Sequence, residues 1–313
     1  MTSAALIIQK VSFDHISHVA RFIHAELAKH FGPDTGLIVC DEIDNATHPD
    51  NAVIFVIGEG FQPHRRRPGC FYVYLNFSIV SVMGNPLQLS KVGWSAIRRK
   101  RRMLAEKQSG FDLLLDYFAP QTRRLQRQLD IPVLGFDIGV DPALIDRTVP
   151  PADRPYDICF VGAMTPRRQQ VIAELEGSGL TISPHSGVVY EDIAAQSRCC
   201  INIHAYRSNH LEIPRIIGAV AAGTPVVTEL SYGLQTLIPS DLVKTSGLRQ
   251  LPKIARNLCR DPFALQNMQA RSFNWYEQSY LPHCRQNWAD ICVKIKTQFQ
   301  LFFQSGETNK LKV

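Results

Sequence analysis

Two short stretches put arginines where helix chemistry disfavours them. In "MTPRR", Thr165 suits an N-cap and Pro166 the first helical position, so Arg167 and Arg168 fall in the first turn. In "LEIPR", a helix is predicted to begin at Pro214 and to end before Gly223, with Pro225 blocking continuation, so Arg215 also lies in a first turn. That end of a helix carries partial positive charge, and a cation there costs about 0.3–1 kcal/mol at an exposed site. Either a carboxylate such as Glu212 neutralises the arginines, or an anionic ligand sits among them. A diphosphate fits the second case, because guanidinium groups and unpaired helix N–H groups can bind it together. Glu212 then has a role of its own, since a carboxylate beside a bound nucleotide can accept hydrogen bonds from ribose hydroxyls.

Other chemistry-bearing residues stand near these stretches. Gly162 closes the apolar run "YDICFVG", and His204 and His210 flank the second helix start. Each histidine could bond a sugar or a phosphate, and each could equally be a structural group satisfied by its neighbours. A base that removes a proton from a hydroxyl belongs in a cleft-facing loop; His15, beside Asp14 after the first apolar run, and His64, after "GEGFQP", are the candidates. The acidic run Asp41–Asp44 lacks converging partner ligands in sequence, and no metal is expected.

The elements that must position these groups follow from hydrophobic periodicity. "ALIIQKVSF", "GLIVCDEI", "NAVIFVIGEG", the run Cys70–Gly84, "FDLLLDYF" and "IPVLGF" read as strands, with helices at "DHISHVARFIHAELAKHFG" and in the basic segments between the later strands. The second half repeats the alternation through "YDICFVG", "LTIS", "CCINIHA" and "PVVTEL". Alternating strands and helices imply parallel sheets, and near-continuous apolar strands imply sheets covered on both faces. The expected fold class is therefore α/β, with two Rossmann-like, doubly wound parallel-sheet domains facing across a cleft. The proline-rich stretch after Gly139 divides residues 1–140 from 156–282, with 141–155 as linker. The tail reads as helices broken at Pro282, with 283–313 as terminal helix and tail.

Composition bounds the partners. A chain of 313 residues, 45% hydrophobic and 20% charged, suits two soluble domains. The longest apolar run, Cys70–Gly84, is too short to span a bilayer, and no secretory signal is visible, so a cytoplasmic protein is expected. Eight cysteines without metal-type spacing read as reduced, mostly buried side chains. The net charge of +6 is concentrated at Arg65–Arg67, Arg98–Arg102 and Arg123–Arg127. Such clusters favour anionic partners, including a membrane surface at the inner face; without interleaved aromatic residues, nucleic acid is disfavoured.

The run "FVG" before an arginine-bearing helix start, followed by "INIH", "LEIPR", an alanine-rich helix and "GTPVV", resembles the nucleotide-sugar-binding carboxyl domain of GT-B glycosyltransferases of the group 1 type. The resemblance implies an amino domain that binds the acceptor, a carboxyl domain that binds the donor, and a terminal helix crossing back. It implies a metal-independent glycosyltransferase that uses a nucleotide-sugar as co-substrate, without a further cofactor. Arg167 and Glu212 would act in catalysis with His15 as base, and Gly162, Arg167, Arg168, His210, Glu212 and Arg215 would hold the donor. One departure stands out: Gly218 occupies a place where many members carry a second acid. A catalytically inert binding protein, or a nucleotide-sugar epimerase on the same fold, is the alternative.

Overall fold

The structure is a computed structural model that describes residues 2–63, 66–83 and 85–304. The amino half alternates β1 (Ser3–Gln9), α1 (Lys10–Phe31), β2 (Gly36–Cys40), β3 (Ala52–Ile57), β4 (Phe71–Asn76), α2 (Lys91–Lys107), β5 (Leu113–Asp116), α3 (Ala119–Leu125) and β6 (Val133–Gly135). Its sheet has the order β2-β1-β3-β4-β5-β6, with every neighbouring pair parallel. All six residues of β3, "AVIFVI", and of β4, "FYVYLN", are buried, as strands covered on both faces require.

The carboxyl half continues with β7 (Tyr156–Cys159), α4 (Pro166–Gly177), α5 (Tyr190–Ala195), β8 (Ser197–Asn202), α6 (Ile213–Ala221), β9 (Val226–Glu229), α7 (Leu234–Leu237), β10 (Val243–Ser246), α8 (Leu251–Cys259), α9 (Pro262–Trp275) and α10 (Leu281–Gln304). Its parallel sheet runs β10-β9-β8-β7, and Ile182 adds a parallel bridge to Ile158 of β7. Counted with that bridge, both halves wind in the same sense: the second strand lies outside the first, and the third begins the other side. The order therefore reverses between β1 and β3, and again between β7 and β8. Ligands bind in open α/β sheets in the crevice beyond such reversals.

Three local readings change. Val11–Phe13 do not extend β1 but open α1, and Val11 is 56% exposed, so the apparent alternation there is the solvent side of a helix. The "LTIS" strand shrinks to the single bridge at Ile182. Pro282 does not break the tail: a π-helical turn at Tyr276–Tyr280 joins α9 to α10, with the Leu281 N–H bonded to the Tyr276 carbonyl. The wider turn takes up the mismatch that a proline, lacking its own N–H, forces on a continuous helix.

That continuous tail ties the halves together. Trp288, fully buried, donates from Nε1 to the Asp137 carbonyl at 3.0 Å, and Tyr276 Oη bonds both the N–H and the carbonyl of Val140 at 2.8 and 2.7 Å. Lys296 near the far end of α10 donates to the His30 carbonyl at the end of α1, so the terminal helix crosses back to the first domain. Buried Val19 of α1, Ile193 of α5 and Trp288 share one apolar core that runs through both domains. All eight cysteines are free thiols, and seven are buried.

Candidate functional site between the two domains

A cavity of about 440 Å³ opens between the domains at the second strand-order reversal. From the amino side it is lined by His15 and Ile16 of α1, Phe77, Lys100 of α2 and Tyr117; from the carboxyl side by Gly162, Tyr190, Glu191, His210, Glu212 and Arg215. Ile16 leaves helical geometry (φ −132°, ψ 32°), so α1 kinks where its second turn meets the cavity, and exposed His15 sits at that kink.

The arginine question resolves into geometry. Arg215 forms a close ion pair from Nη1 to Glu212 Oε2, and the same nitrogen reaches Asn202 Oδ1 at 3.4 Å. Its guanidinium passes directly over Gly162: a Cβ there would lie 2.6 Å from Arg215 Nη2. Gly162 also has φ +142°, a conformation that side chains rarely adopt. The loop thus needs glycine twice, for its backbone and for the arginine that crosses it.

Arg168 points the other way. It is 2% exposed, donates from Nε to the Ile203 carbonyl at 2.8 Å and from Nη1 to the Ala163 carbonyl at 2.9 Å, and reaches Glu212 Oε1 at 3.5 Å. Burial, with Arg215 nearby, lowers its pKa to about 10, which leaves it charged at neutral pH. It pins the loop after β7 to the end of β8. Arg167 makes a close pair with buried Glu229, whose other oxygen accepts from the His204 N–H at 2.8 Å. Neither Arg167 nor Arg168 lines the cavity; Gly162, His15, His210, Glu212 and Arg215 do. Among the three arginines and the two glutamates that pair with them, one positive charge is left over.

The histidines divide as well. His204 Nδ1 lies 2.7 Å from the Ser208 carbonyl and Nε2 3.0 Å from Ser231 Oγ, a structural group with both nitrogens engaged. His210 is 4% exposed, its Nε2 has no hydrogen-bond partner among the described residues, and burial lowers its pKa to about 4. It is therefore neutral at pH 7, a hydrogen-bonding group rather than a cation. The other base candidate, His64, lies outside the described residues, as does Arg65. Arg66 pairs closely with Asp112, and Arg67 donates to the His48 carbonyl at 2.8 Å, so both serve the amino domain internally. Arg98, Arg99, Arg101 and Arg102 are exposed along α2, while Lys100 pairs with Glu59 at 2.7 Å and faces the cavity. Asp41 and Asp44 are exposed, and among the described residues no group of three or more His, Cys, Asp or Glu is placed to hold a metal ion.

Sequence reasoning missed Tyr117, Asn202, Glu229 and Glu191. Asn202 and Glu229 end strands and Tyr117 directly follows one, where apolar runs hide a polar residue. Glu191, in "VYEDIAA", looks like any acid in a helical first turn.

Solved structures share this architecture. Anabaena HepE in complex with UDP superposes with a TM-score of 0.56 at 11% identity, over 96% of this chain and 100% of that one. The sucrose-phosphate synthase of Thermosynechococcus elongatus gives 0.55 at 12% identity, over 97% and 100%. The fold is GT-B. S. aureus TarM, as a variant in complex with fondaparinux, alpha-GlcNAc-glycerol and UDP, gives 0.54 at 10% identity over 78% of this chain; the chain spans 56% of TarM's length. Family models and curated protein sequences yield no match. In the GT-B frame, the cavity lies in the cleft between the paired domains, and the long terminal helix is the element that crosses back.

Proposed function

We propose that the protein is a glycosyltransferase that takes a sugar from a nucleoside-diphosphate donor bound against the carboxyl domain. The observation that carries this reading is the convergence of Gly162, Glu212 and Arg215 beyond the strand-order reversal, facing α1 across the cleft. HepE, on the same fold, has been solved with UDP and with UDP-glucose. A departing sugar leaves negative charge on its diphosphate, and preorganised cations and N–H donors stabilise that charge without a metal. Arg215 and the start of α6 supply both. Glu212, held by two arginines, retains lone pairs for ribose hydroxyls. Neutral His210 offers Nε2 to the donor, and His15 is placed to take a proton from an acceptor hydroxyl. Arg167 acts through Glu229, positioning the end of β9, and Arg168 acts through the loop it pins.

The acceptor enters from the amino domain. The exposed arginines of α2, with Leu87 at 91% and Val92 at 69% exposure near its start, favour an anionic acceptor or an anionic membrane face. No described helix is long and apolar enough to cross a membrane. An inert binding protein remains the second reading because Gly218 stands where an acid is expected. A thermal-shift screen against UDP, GDP, CDP, ADP and their sugars, without metal, tests the proposal. A ligand that binds only the folded state must raise Tm. One nucleotide class should do so, with slow hydrolysis or transfer of its sugar; a shift without turnover supports the inert reading, and no shift with any ligand removes both.

A further inference from the structure

Glu191 is a buried carboxyl with one oxygen left unpartnered among the described residues. It is 2% exposed, in the first turn of α5, and it lines the cavity beside Tyr190. The unpartnered oxygen is Oε2. The histidine that faces it is engaged elsewhere: His18 Nε2 of α1 lies 2.8 Å from Oδ1 of the adjacent Asp192, and His18 Nδ1 has no hydrogen-bond partner among the described residues. Buried carboxyl groups are normally paired or hydrogen-bonded, so an open one in a cavity wall points to a ligand.

Gly218 explains how the carboxyl reaches the cavity. A Cβ at position 218 would lie 3.0 Å from Glu191 Oε1 and 3.1 Å from Tyr190 Cδ1. Gly218 is helical, so no backbone strain calls for glycine; the space above it is filled by the side chains of α5. A carboxyl from α5 thus fills the space above Gly218, with its Oε1 3.0 Å from where a Cβ at 218 would stand.

We propose that Glu191 is a ligand-binding residue of this cleft that accepts a hydrogen bond from a hydroxyl of the bound nucleotide-sugar. The inference rests on the nucleotide-sugar reading and deepens it. A carboxyl repels phosphate and accepts from hydroxyls, so Glu191 marks the polyol part of the ligand while Arg215 marks the diphosphate. Burial pushes its pKa up to about 7, its own backbone N–H and His18 pull it down, and Asp192 raises it further, so the group takes part in either protonation state as donor or acceptor. The hydroxyl belongs either to the ribose or to the transferred sugar, and the two sources separate by experiment.

The test titrates UDP, GDP, CDP and ADP, and then the corresponding sugars, into wild type, Glu191→Leu, Glu191→Gln and Gly218→Ala by calorimetry, with melts of each unliganded protein. Glu191→Leu is expected to fold with an unchanged or raised Tm and to bind at least tenfold more weakly. Glu191→Gln should fall between, and Gly218→Ala should weaken binding by displacing the carboxyl. A loss already present with the bare diphosphate assigns the hydroxyl to ribose; a loss seen only with the sugar assigns it to the transferred group. Wild-type affinity in both Glu191 variants overturns this inference and leaves the donor reading intact. Absence of binding by wild type to every nucleotide and sugar overturns both.

Discussion

Replacing Gly162 with alanine perturbs the site without changing its charge, so its effect can be worked from the structure. The new Cβ meets Arg215 Nη2 at 2.6 Å and Cζ at 3.3 Å, closer than such atoms approach, so the guanidinium must leave its place over the loop. Because that atom is the far end of a flexible side chain, the clash is relieved by movement. The backbone cannot move as cheaply: at φ +142° a side chain is strained, at a cost of about 1–3 kcal/mol. At about 2–4 °C per kcal/mol for a protein of this size, Tm should fall by about 2–12 °C. Losing a charge-assisted hydrogen bond removes about 1.5–3 kcal/mol of binding, or about 10–150-fold in Kd for the nucleotide diphosphate. Urea melts and calorimetric titration measure the two terms separately. The Gly177→Ala control, at the end of α4 with nothing within 4 Å of its new Cβ, should change neither by more than about 1 kcal/mol. A destabilised Gly162→Ala variant with wild-type affinity would refute the placement of Arg215 on the ligand.

Three further outcomes follow from the same structure. Arg168→Ala strands the buried Ile203 carbonyl and releases the Ala163 carbonyl of the loop, and should lower stability by about 1–3 kcal/mol in urea, whereas Arg215→Ala should spare stability and weaken nucleotide binding. Trp288→Ala removes a fully buried side chain from the terminal helix and should cost about 3–5 kcal/mol, read as a lower denaturation midpoint. Glu191, raised to about 7 from an ordinary 4.5, contributes stability that is fully present below pH 4.5 and lost as pH rises through 7. Glu191→Gln should therefore be more stable than wild type by about 3 kcal/mol at pH 8 and by less than about 1 kcal/mol at pH 5. His210, lowered to about 4, acts in the opposite direction and loses its contribution as pH falls below 6.5, so the comparison is made between proteins at one pH.

Much of the architecture was legible because it depends on local signals. Thr165 and Pro166 start α4, Pro214 sits in the first turn of α6, and apolar strands alternate with helices as two parallel sheets require. The wall of the cavity was legible where residue type and position coincide, as for Gly162, Glu212 and Arg215. Adjacent arginines were not separable: successive helical residues point about 100° apart, so Arg167 turns to Glu229 while Arg168 turns inward to Ile203. Both explanations of the first-turn arginines have a physical counterpart, since Glu212 neutralises Arg215 at the edge of a cavity that an anion could enter. Glu191 was illegible because its burial arises from the packing of α5 against α1 and α6, which its neighbours in sequence do not encode. Pro282 misled because a proline signals a helix break unless a wider turn precedes it, as one does here at Tyr276–Tyr280.

On the proposed function, a nucleoside diphosphate binds where the β7 loop meets the start of α6. A crystal structure of the protein with UDP, or with whichever nucleotide raises its Tm most, tests it most directly. The diphosphate is expected against Gly162 and Arg215 and the ribose against Glu212. A nucleotide bound elsewhere, with Arg215 still closed on Glu212 over an empty loop, would contradict it.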